Sequence, residues 1–236
     1  MKKIKVLFDK TSEKKLKIGW GVSFLIDTSL IFDTGENGKY LLENIKNLNI
    51  DIEKVERVVI SHNHWDHTGG LWELLKKKKL AVYSCKNFSN EFKKKVKESG
   101  GKLVEIKNSV EIEKNIYTTG EIEAYYKDSP MPEQSLILKT ENGLTILTGC
   151  SHPGILNILE IVKKKFPEEK IYAVIGGFHL IEEDKRVIEY IVNQFMKMGV
   201  EKAGPTHCSG TKTENIFREK YGKNFIKVKV GDEIIV

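Results

Sequence analysis

The stretch Ser61-His62-Asn63-His64-Trp65-Asp66-His67-Thr68-Gly69-Gly70 follows a short apolar run and holds three of the six histidines of the chain. Imidazole nitrogens and carboxylate oxygens are ligands that zinc and similar first-row cations favour. His62 and His64 lie two residues apart on an extended segment, so their side chains point the same way. After a bend, Asp66 and His67 can face a second ion. The stretch therefore predicts a centre for two metal ions rather than a chance group of surface histidines.

Composition indicates a globular protein. The chain has 236 residues, of which 40% are hydrophobic and 31% are charged, and it contains three cysteines. No Pro/Gly/Ser-rich linker or repeat divides it, so we predict one domain over residues 1–236. The apolar runs are too short for a membrane span, and the N-terminus is typical of a strand rather than a signal peptide. Few cysteines fit a reducing compartment, so we expect a cytoplasmic protein of undetermined oligomeric state.

The positive charge of the chain does not by itself indicate a nucleic-acid partner. The net charge is +6, but lysine supplies nearly all of it and only Arg57, Arg186 and Arg218 are arginines. Specific phosphate and base recognition depends largely on the arginine fork, so we consider nucleic acid an improbable ligand. The lysine runs close helical patterns and complement helix dipoles, or they attract an anionic small molecule. Abundant lysine and glutamate also fits a thermophile.

The remaining histidines also follow predicted strands. Apolar patterns predict strands over 144–148, 170–175 and 200–204, followed by His152, His179 and His207. Histidines placed just past several strand ends are what a ligand site at one edge of a sheet requires. The same patterns predict strands over 3–8, 16–20, 22–27 and 29–33, and closing strands over 224–236.

Several motifs together resemble the metallo-β-lactamase superfamily. They are the 61–70 stretch, Phe32-Asp33-Thr34-Gly35, Thr148-Gly149-Cys150-Ser151-His152-Pro153-Gly154, Gly176-Gly177-Phe178-His179-Leu180 and Pro205-Thr206-His207-Cys208-Ser209-Gly210. The motifs at 148–154 and 176–180 are similar to those of a subfamily named for 7,8-dihydropterin-6-methyl-4-(β-D-ribofuranosyl)aminobenzene-5′-phosphate synthase, an enzyme of methanopterin biosynthesis. The resemblance implies an α/β (α+β) fold, a four-layer αββα sandwich of two mixed sheets flanked by helices. It also implies a dinuclear site for divalent ions, with zinc favoured and iron or manganese as alternatives.

The resemblance suggests how the ligands divide between the ions. His62, His64 and His152 would hold the first ion, and Asp66, His67 and His207 the second. Many superfamily members have a histidine ligand before the 135–148 hairpin, which is missing here, and a bridging aspartate where Cys150 stands. His152 then replaces the missing histidine, or it merely precedes a helix as an N-cap neighbour. Cys150 is either a thiolate ligand or a buried thiol.

Other residues are candidates for catalysis and substrate binding. Asp66 is a catalytic candidate as well as a ligand, and His179 is expected to donate a proton or hydrogen bond to developing charge, or to be structural. Asp33 either supports the metal loop or forms a turn. The aperiodic segment 120–134 is predicted to be a substrate-covering loop or a plain connection. The residues expected to contact substrate are Tyr125 or Tyr126 in that loop, Phe178, and Trp65, for which core packing is the favoured alternative.

The function that follows is that of a metal-dependent hydrolase. We expect it to act on a small anionic, phosphorylated molecule through a metal-activated water. The alternative implied by the subfamily is a synthase-type transfer that releases pyrophosphate. A nuclease or a noncatalytic binding protein on the same fold is a further alternative, although no added domain or long basic arm for a polymer is visible.

Overall fold

A computed structural model describes residues 1–236. The chain forms two compact units. We call residues 2–108 together with 229–235 the N-terminal unit, and residues 109–228 together with Met1 and Val236 the C-terminal unit. Each unit is built on one large sheet. The prediction of a single domain over 1–236 stays a prediction.

Strands and helices alternate over residues 30–106 and 143–235, and the chain between these two parts forms strands only. The strands are β1 (Lys3–Phe8), β2 (Ser23–Ile26), β3 (Leu30–Phe32), β4 (Arg57–Val59), β5 (Ala81–Cys85), β6 (Lys102–Ile106), β7 (Glu111–Glu113), β8 (Ile116–Thr118), β9 (Tyr125–Tyr126), β10 (Ser129–Pro130), β11 (Leu136–Thr140), β12 (Gly143–Thr148), β13 (Ile171–Gly177), β14 (Lys202–Thr206) and β15 (Glu233–Ile235). The α-helices are α1 (Gly38–Asn47), α2 (Trp65–Thr68), α3 (Leu71–Lys77), α4 (Asn90–Glu98), α5 (Ile155–Lys165), α6 (Lys185–Lys197) and α7 (Gly210–Tyr221). Short 3-10 helices cover Ile52–Lys54, His207–Ser209 and Gly222–Asn224.

The N-terminal unit has a seven-stranded mixed sheet with the order β15-β1-β2-β3-β4-β5-β6. Strands β3 to β6 are parallel, so their carboxyl ends lie at one edge. The 61–70 stretch begins at this edge, two residues after β4 ends. Leucines on the buried side of α3 and Phe92 and Val96 of α4 pack into one apolar core with the sheet.

The C-terminal unit has a six-stranded mixed sheet with the order β14-β13-β12-β11-β8-β7. Strands β12, β13 and β14 are parallel. Their carboxyl ends are followed by His152, His179 and His207, as the sequence predicts. The core of this unit is formed by the sheet and by the buried faces of α5, α6 and α7. Two mixed sheets with flanking helices confirm the predicted class of fold.

Some local predictions are wrong. Residues 16–20 do not form a strand, because the side chain of Asn44 binds the backbone of Lys17, accepting from its N–H at 2.8 Å and donating to its carbonyl at 2.8 Å. The closing segment 224–236 has one strand, β15, rather than several. The 120–134 segment contains the short hairpin of β9 and β10, which the sequence does not predict.

The structure bears on two further expectations. None of the helices is long and apolar enough to cross a lipid bilayer. Cys85, Cys150 and Cys208 are all buried and none forms a disulfide.

Candidate metal centre

His62 and His64 present two ligand atoms to one point in the N-terminal unit. Nε2 of His62 lies 3.1 Å from Nδ1 of His64. Two nitrogen ligands at about 2.0–2.1 Å from a tetrahedral zinc ion are about 3.4 Å apart. The two imidazoles therefore fit neighbouring positions around a single ion, as their spacing in the sequence predicts.

Asp33 holds this loop in place from the end of β3. Its Oδ1 accepts a hydrogen bond from the backbone N–H of Ser61 at 2.7 Å, and its Oδ2 accepts from the Ser61 hydroxyl at 2.6 Å. Because that hydroxyl donates its only hydrogen to Asp33, it accepts from Nδ1 of His62, 2.9 Å away. Nε2 of His62 then carries a lone pair for a metal. The supporting role of Asp33 is confirmed, and the turn alone does not explain the residue.

His67 and Asp66 are the other two candidate ligands in the N-terminal unit. Nδ1 of His67 lies 2.6 Å from Oδ2 of Asp33, and Nε2 of His67 lies 3.4 Å from Oδ2 of Asp66. Burial lowers the pKa of His67, but the Asp33 and Asp66 carboxylates together outweigh that effect and hold the pKa well above its usual value. Burial also raises the pKa of Asp33. Both shifts favour retention of protons by the His67–Asp33 pair. A metal ion that binds Nε2 of His67 would displace the proton on that nitrogen.

In the C-terminal unit, Glu133 organises the loop that follows β12. Its Oε1 accepts from the backbone N–H groups of Cys150 at 3.0 Å and Ser151 at 2.8 Å. Its Oε2 accepts from the backbone N–H of His152 at 2.8 Å and lies 2.9 Å from Nδ1 of the same residue. Burial raises the pKa of Glu133, yet these hydrogen bonds outweigh that effect and lower the pKa overall. Glu133 is thus a buried carboxylate that holds His152 from both its backbone and its ring.

Cys150 and His207 face each other within the same unit. Sγ of Cys150 lies 3.4 Å from Nε2 of His207, and both residues are buried. A sulfur ligand at about 2.3 Å and a nitrogen ligand at about 2.0–2.1 Å from a tetrahedral zinc ion are about 3.6 Å apart. The 3.4 Å separation is therefore compatible with two ligands of one ion, and it is equally compatible with a thiol–imidazole hydrogen bond.

His179 lies beside this pair at the end of β13. One ligand atom from each of Cys150, His152 and His179 lies within 4.8 Å of the others. A hydrogen bond with Cys208 raises the pKa of His179. Burial raises the pKa of the Cys208 thiol, but hydrogen bonds with Cys150 and His179 and the neighbouring imidazole charges bring it well below its usual value. His179 is therefore placed to carry a proton next to the ligand group.

The hairpin of β9 and β10 brings Tyr126 to the same place. The Tyr126 ring centre lies 5.5 Å from that of His152 and 6.0 Å from that of His179. Tyr125, its neighbour, is 67% exposed. Of the two tyrosines expected at a pocket wall, Tyr126 is the one that contacts the histidines.

Several residues of the candidate site have a strained backbone conformation. Four of them have a positive φ although they are not glycine: Asp33 (55°), Ser151 (65°), His179 (54°) and His207 (50°). Such conformations cost free energy and persist where the surrounding structure enforces them, often at active sites. Each of these four residues is a candidate ligand, a hydrogen-bond partner of the candidate ligands, or their close neighbour in the chain.

Comparison with known proteins identifies the family. The family model of the metallo-beta-lactamase superfamily matches residues 21–165 of the chain. The chain belongs to the metallo-β-lactamase superfamily. The matched range includes the 61–70 stretch and the Cys150–His152 loop. The match confirms the family resemblance seen in the sequence.

Two relatives extend the match to nearly the whole chain. The 7,8-dihydropterin-6-methyl-4-(beta-D-ribofuranosyl)-aminobenzene-5′-phosphate synthase of Methanocaldococcus jannaschii is 33% identical, and the alignment covers 89% of this chain and 88% of that protein. The crystal structure of Tm1679, described as a metal-dependent hydrolase of the β-lactamase superfamily, is 31% identical, with a TM-score of 0.83 over 100% of this chain and 99% of that one. These relatives indicate that the chain is an enzyme, and they confirm the predicted fold class.

A more distant structure shows the fold alone. The metallo-β-lactamase fold protein YhfI from Bacillus subtilis is 14% identical, with a TM-score of 0.70 over 100% of both chains. The fold therefore persists where most of the sequence has changed.

Two of the sequence-predicted residues lie in different surroundings from those expected. Trp65 is 62% exposed and lines a surface groove with Trp72, so the core packing favoured for it is wrong. Phe178 is 1% exposed and packs against Phe195 and Phe217, at ring-centre distances of 5.4 and 5.6 Å. A side chain enclosed in an aromatic core cannot form a pocket wall, so the expected substrate contact of Phe178 is corrected.

Three residues of the site were not predicted: Glu133, Ser61 and Cys208. Ser61 could have been found, because it is adjacent to His62 and close in sequence to the ligands. Glu133 gave no such signal, since it lies 19 residues before His152 and is followed by an ordinary strand pattern.

Proposed function

We propose that the protein is a dinuclear metalloenzyme of this superfamily. In this proposal, His62, His64 and His152 hold one divalent ion, and Asp66, His67 and His207 hold the other, with Cys150 as a further ligand. The single observation that carries it is the pair of donor–donor separations, 3.1 Å for His62 and His64 and 3.4 Å for Cys150 and His207. Both separations match what one tetrahedral ion requires of two ligands.

The chemistry of the donors favours zinc. Five imidazoles, one carboxylate and one thiol form a set rich in nitrogen and sulfur, which suits zinc or ferrous iron better than magnesium or calcium. Manganese prefers oxygen ligands, and the thiol of Cys150 makes it the weaker candidate.

The reaction we propose is hydrolysis of a small, anionic, phosphorylated molecule. When bound, the two ions would lower the pKa of a water molecule and polarise the bond that is broken. Asp33 and Glu133 hold the His67 and His152 rings by their Nδ1 atoms, so that the Nε2 atoms stay available for metal. His179, with its raised pKa, donates a proton to the leaving group. Tyr126 forms a wall beside His152 and His179 and limits the access of water.

A second candidate is a transfer reaction that releases pyrophosphate. It is favoured by the 33% identity to the M. jannaschii synthase across most of both chains. In that reaction the cations held by the same ligands would neutralise a pyrophosphate leaving group, and His179 would still supply a proton.

One experiment separates the candidates. Metal-loaded protein is incubated with phosphomonoesters, phosphodiesters, lactones and thioesters, and separately with a pterin-methyl pyrophosphate and an aminobenzene ribofuranosyl phosphate, alone and together. Phosphoester turnover without the second substrate supports the hydrolase. Pyrophosphate release that requires both substrates supports the synthase. Both candidates depend on metal. If a chelator removes the metal and the activity that was observed does not fall, both candidates are contradicted.

A further inference from the structure

We propose that Glu133 is a positioning residue that prepares His152 to bind metal. The inference rests on the proposed function, because it concerns a ligand of the first ion. Glu133 touches neither a substrate nor a candidate ligand atom of His152. It acts through Nδ1 and the backbone of the Cys150–His152 loop, while the metal would bind at Nε2.

The hydrogen-bond pattern of Glu133 is the first part of the argument. Its two oxygens accept from three consecutive backbone N–H groups, those of Cys150, Ser151 and His152. The fourth contact, 2.9 Å from Oε2 to Nδ1 of His152, ends on the ring. Since a carboxylate can only accept, this contact places the proton of a neutral imidazole on Nδ1. The lone pair of His152 is then on Nε2, the atom available to a metal ion.

Burial is the second part. The Glu133 side chain is 0% exposed and that of His152 is 1% exposed. A carboxylate removed from water is costly unless charge-assisted hydrogen bonds replace its hydration. The four donors supply them, and all four belong to the loop that carries Cys150 and His152. The buried carboxylate is therefore stabilised only when this loop has its folded conformation.

The backbone of Glu133 is fixed as firmly as its side chain. Its N–H donates to the carbonyl of Ile122 at 3.0 Å, and its carbonyl accepts from the N–H of Ile122 at 2.8 Å. This bridge closes the segment that carries Tyr126. Glu133 thus ties the Tyr126 hairpin to the His152 loop, and a change at Glu133 should move both.

The N-terminal unit contains an independent example of the same arrangement. Asp33 is buried, accepts from a loop N–H and hydroxyl of Ser61, and contacts Nδ1 of His67 at 2.6 Å. In both units a buried carboxylate binds Nδ1 of a histidine and the backbone of the loop near a candidate ligand. The recurrence supports a role in orienting ligands rather than a local accident of packing.

The proposal is tested by metal affinity in Glu133→Gln. Glutamine keeps one acceptor oxygen, but its amide group would face the donors of His152. We expect the dissociation constant of the first cobalt or zinc ion to rise about 10- to 100-fold, as is typical when such a partner is removed. Glu111→Gln is the matched control, because Glu111 is exposed and also accepts a backbone hydrogen bond in the same unit. Its affinity should equal that of the wild type.

A double-mutant cycle distinguishes positioning from a general effect on the fold. If Glu133 acts on the metal through His152, Glu133→Gln should cause no further loss in a His152→Ala background. Full additional loss there would overturn the proposal, as would a dissociation constant of Glu133→Gln within twofold of the wild type. If the wild-type protein binds no metal, the proposed function fails and takes this inference with it. If the wild type binds metal and only the Glu133 results disagree, the inference alone fails.

A measurement on the wild type needs no variant to fold. In metal-depleted protein labelled with nitrogen-15 at histidine, long-range proton–nitrogen spectra report which ring nitrogen carries the proton. The proposal predicts the Nδ1–H tautomer for His152. An Nε2–H tautomer would overturn it, even if metal binding were intact.

Discussion

Replacing Asp33 with asparagine should damage both the stability of the N-terminal unit and its metal site. The buried carboxylate makes three contacts, to the Ser61 N–H at 2.7 Å, the Ser61 hydroxyl at 2.6 Å and His67 Nδ1 at 2.6 Å. Asparagine can keep the first, but its amide group replaces the oxygen that serves the other two. Hydrogen bonds to charged groups contribute about 1.5–3 kcal/mol each, so the loss of two lowers the free energy of unfolding by about 3–6 kcal/mol.

The same change should weaken metal binding about 10- to 100-fold, because His67 and, through Ser61, His62 lose their orientation. Urea unfolding of metal-depleted protein, followed by circular dichroism, measures the first effect, and zinc titration measures the second. Asp51→Asn is the control: Asp51 is exposed and accepts from the N–H of Glu53 at the start of a short 3-10 helix, where asparagine serves equally well. A loss of stability below about 1 kcal/mol in Asp33→Asn, with unchanged zinc affinity, would refute the reasoning.

Three further predictions concern pH, metal choice and packing. Because the pKa of His67 is raised, its pair with Asp33 stabilises the metal-free protein fully below about pH 6.5, and this contribution is lost as pH rises through the folded-state pKa. Over the same rise in pH, protons compete less with zinc for Nε2 of His67, so calorimetry should show that zinc binds more tightly. A zinc affinity that does not change with pH would contradict this. Cys150→Asp should retain bound metal but shift the preference toward manganese, measured by competition between zinc and manganese; an unchanged preference would argue against Cys150 as a ligand. Trp65→Phe should change the free energy of unfolding by less than about 0.5 kcal/mol because the residue is exposed, whereas Phe195→Ala should lower it by about 3–5 kcal/mol; equal effects would contradict the burial of these two residues.

The sequence predicted the parts of the fold that depend on local pattern. Apolar runs followed by glycine or histidine located the strands that end at the site, such as β4 before His62 and β14 before His207. The alternation around Leu16 to Trp20 also looked like a strand. It failed because the hydrogen bonds of Lys17 go to the side chain of Asn44, 27 residues away, which no local pattern reveals.

The candidate site divides in the same way. Ligand types were readable because histidine is rare and the 62–67 spacing is specific. The carboxylates that hold the rings were harder to find, since Asp33 and Glu133 act over 34 and 19 residues of chain. Trp65 and Phe178 show the limit most clearly: both are aromatic residues inside a motif, and only packing places one in solvent and the other in the core.

The most direct test of the dinuclear centre is the metal content of protein purified without chelators, measured by mass spectrometry for the wild type, His64→Ala and His207→Ala. The proposal predicts about two equivalents of transition metal per wild-type chain and about one in each variant, because each substitution removes a ligand of a different ion. Well under one equivalent in the wild type, or variants that retain the wild-type content, would contradict it.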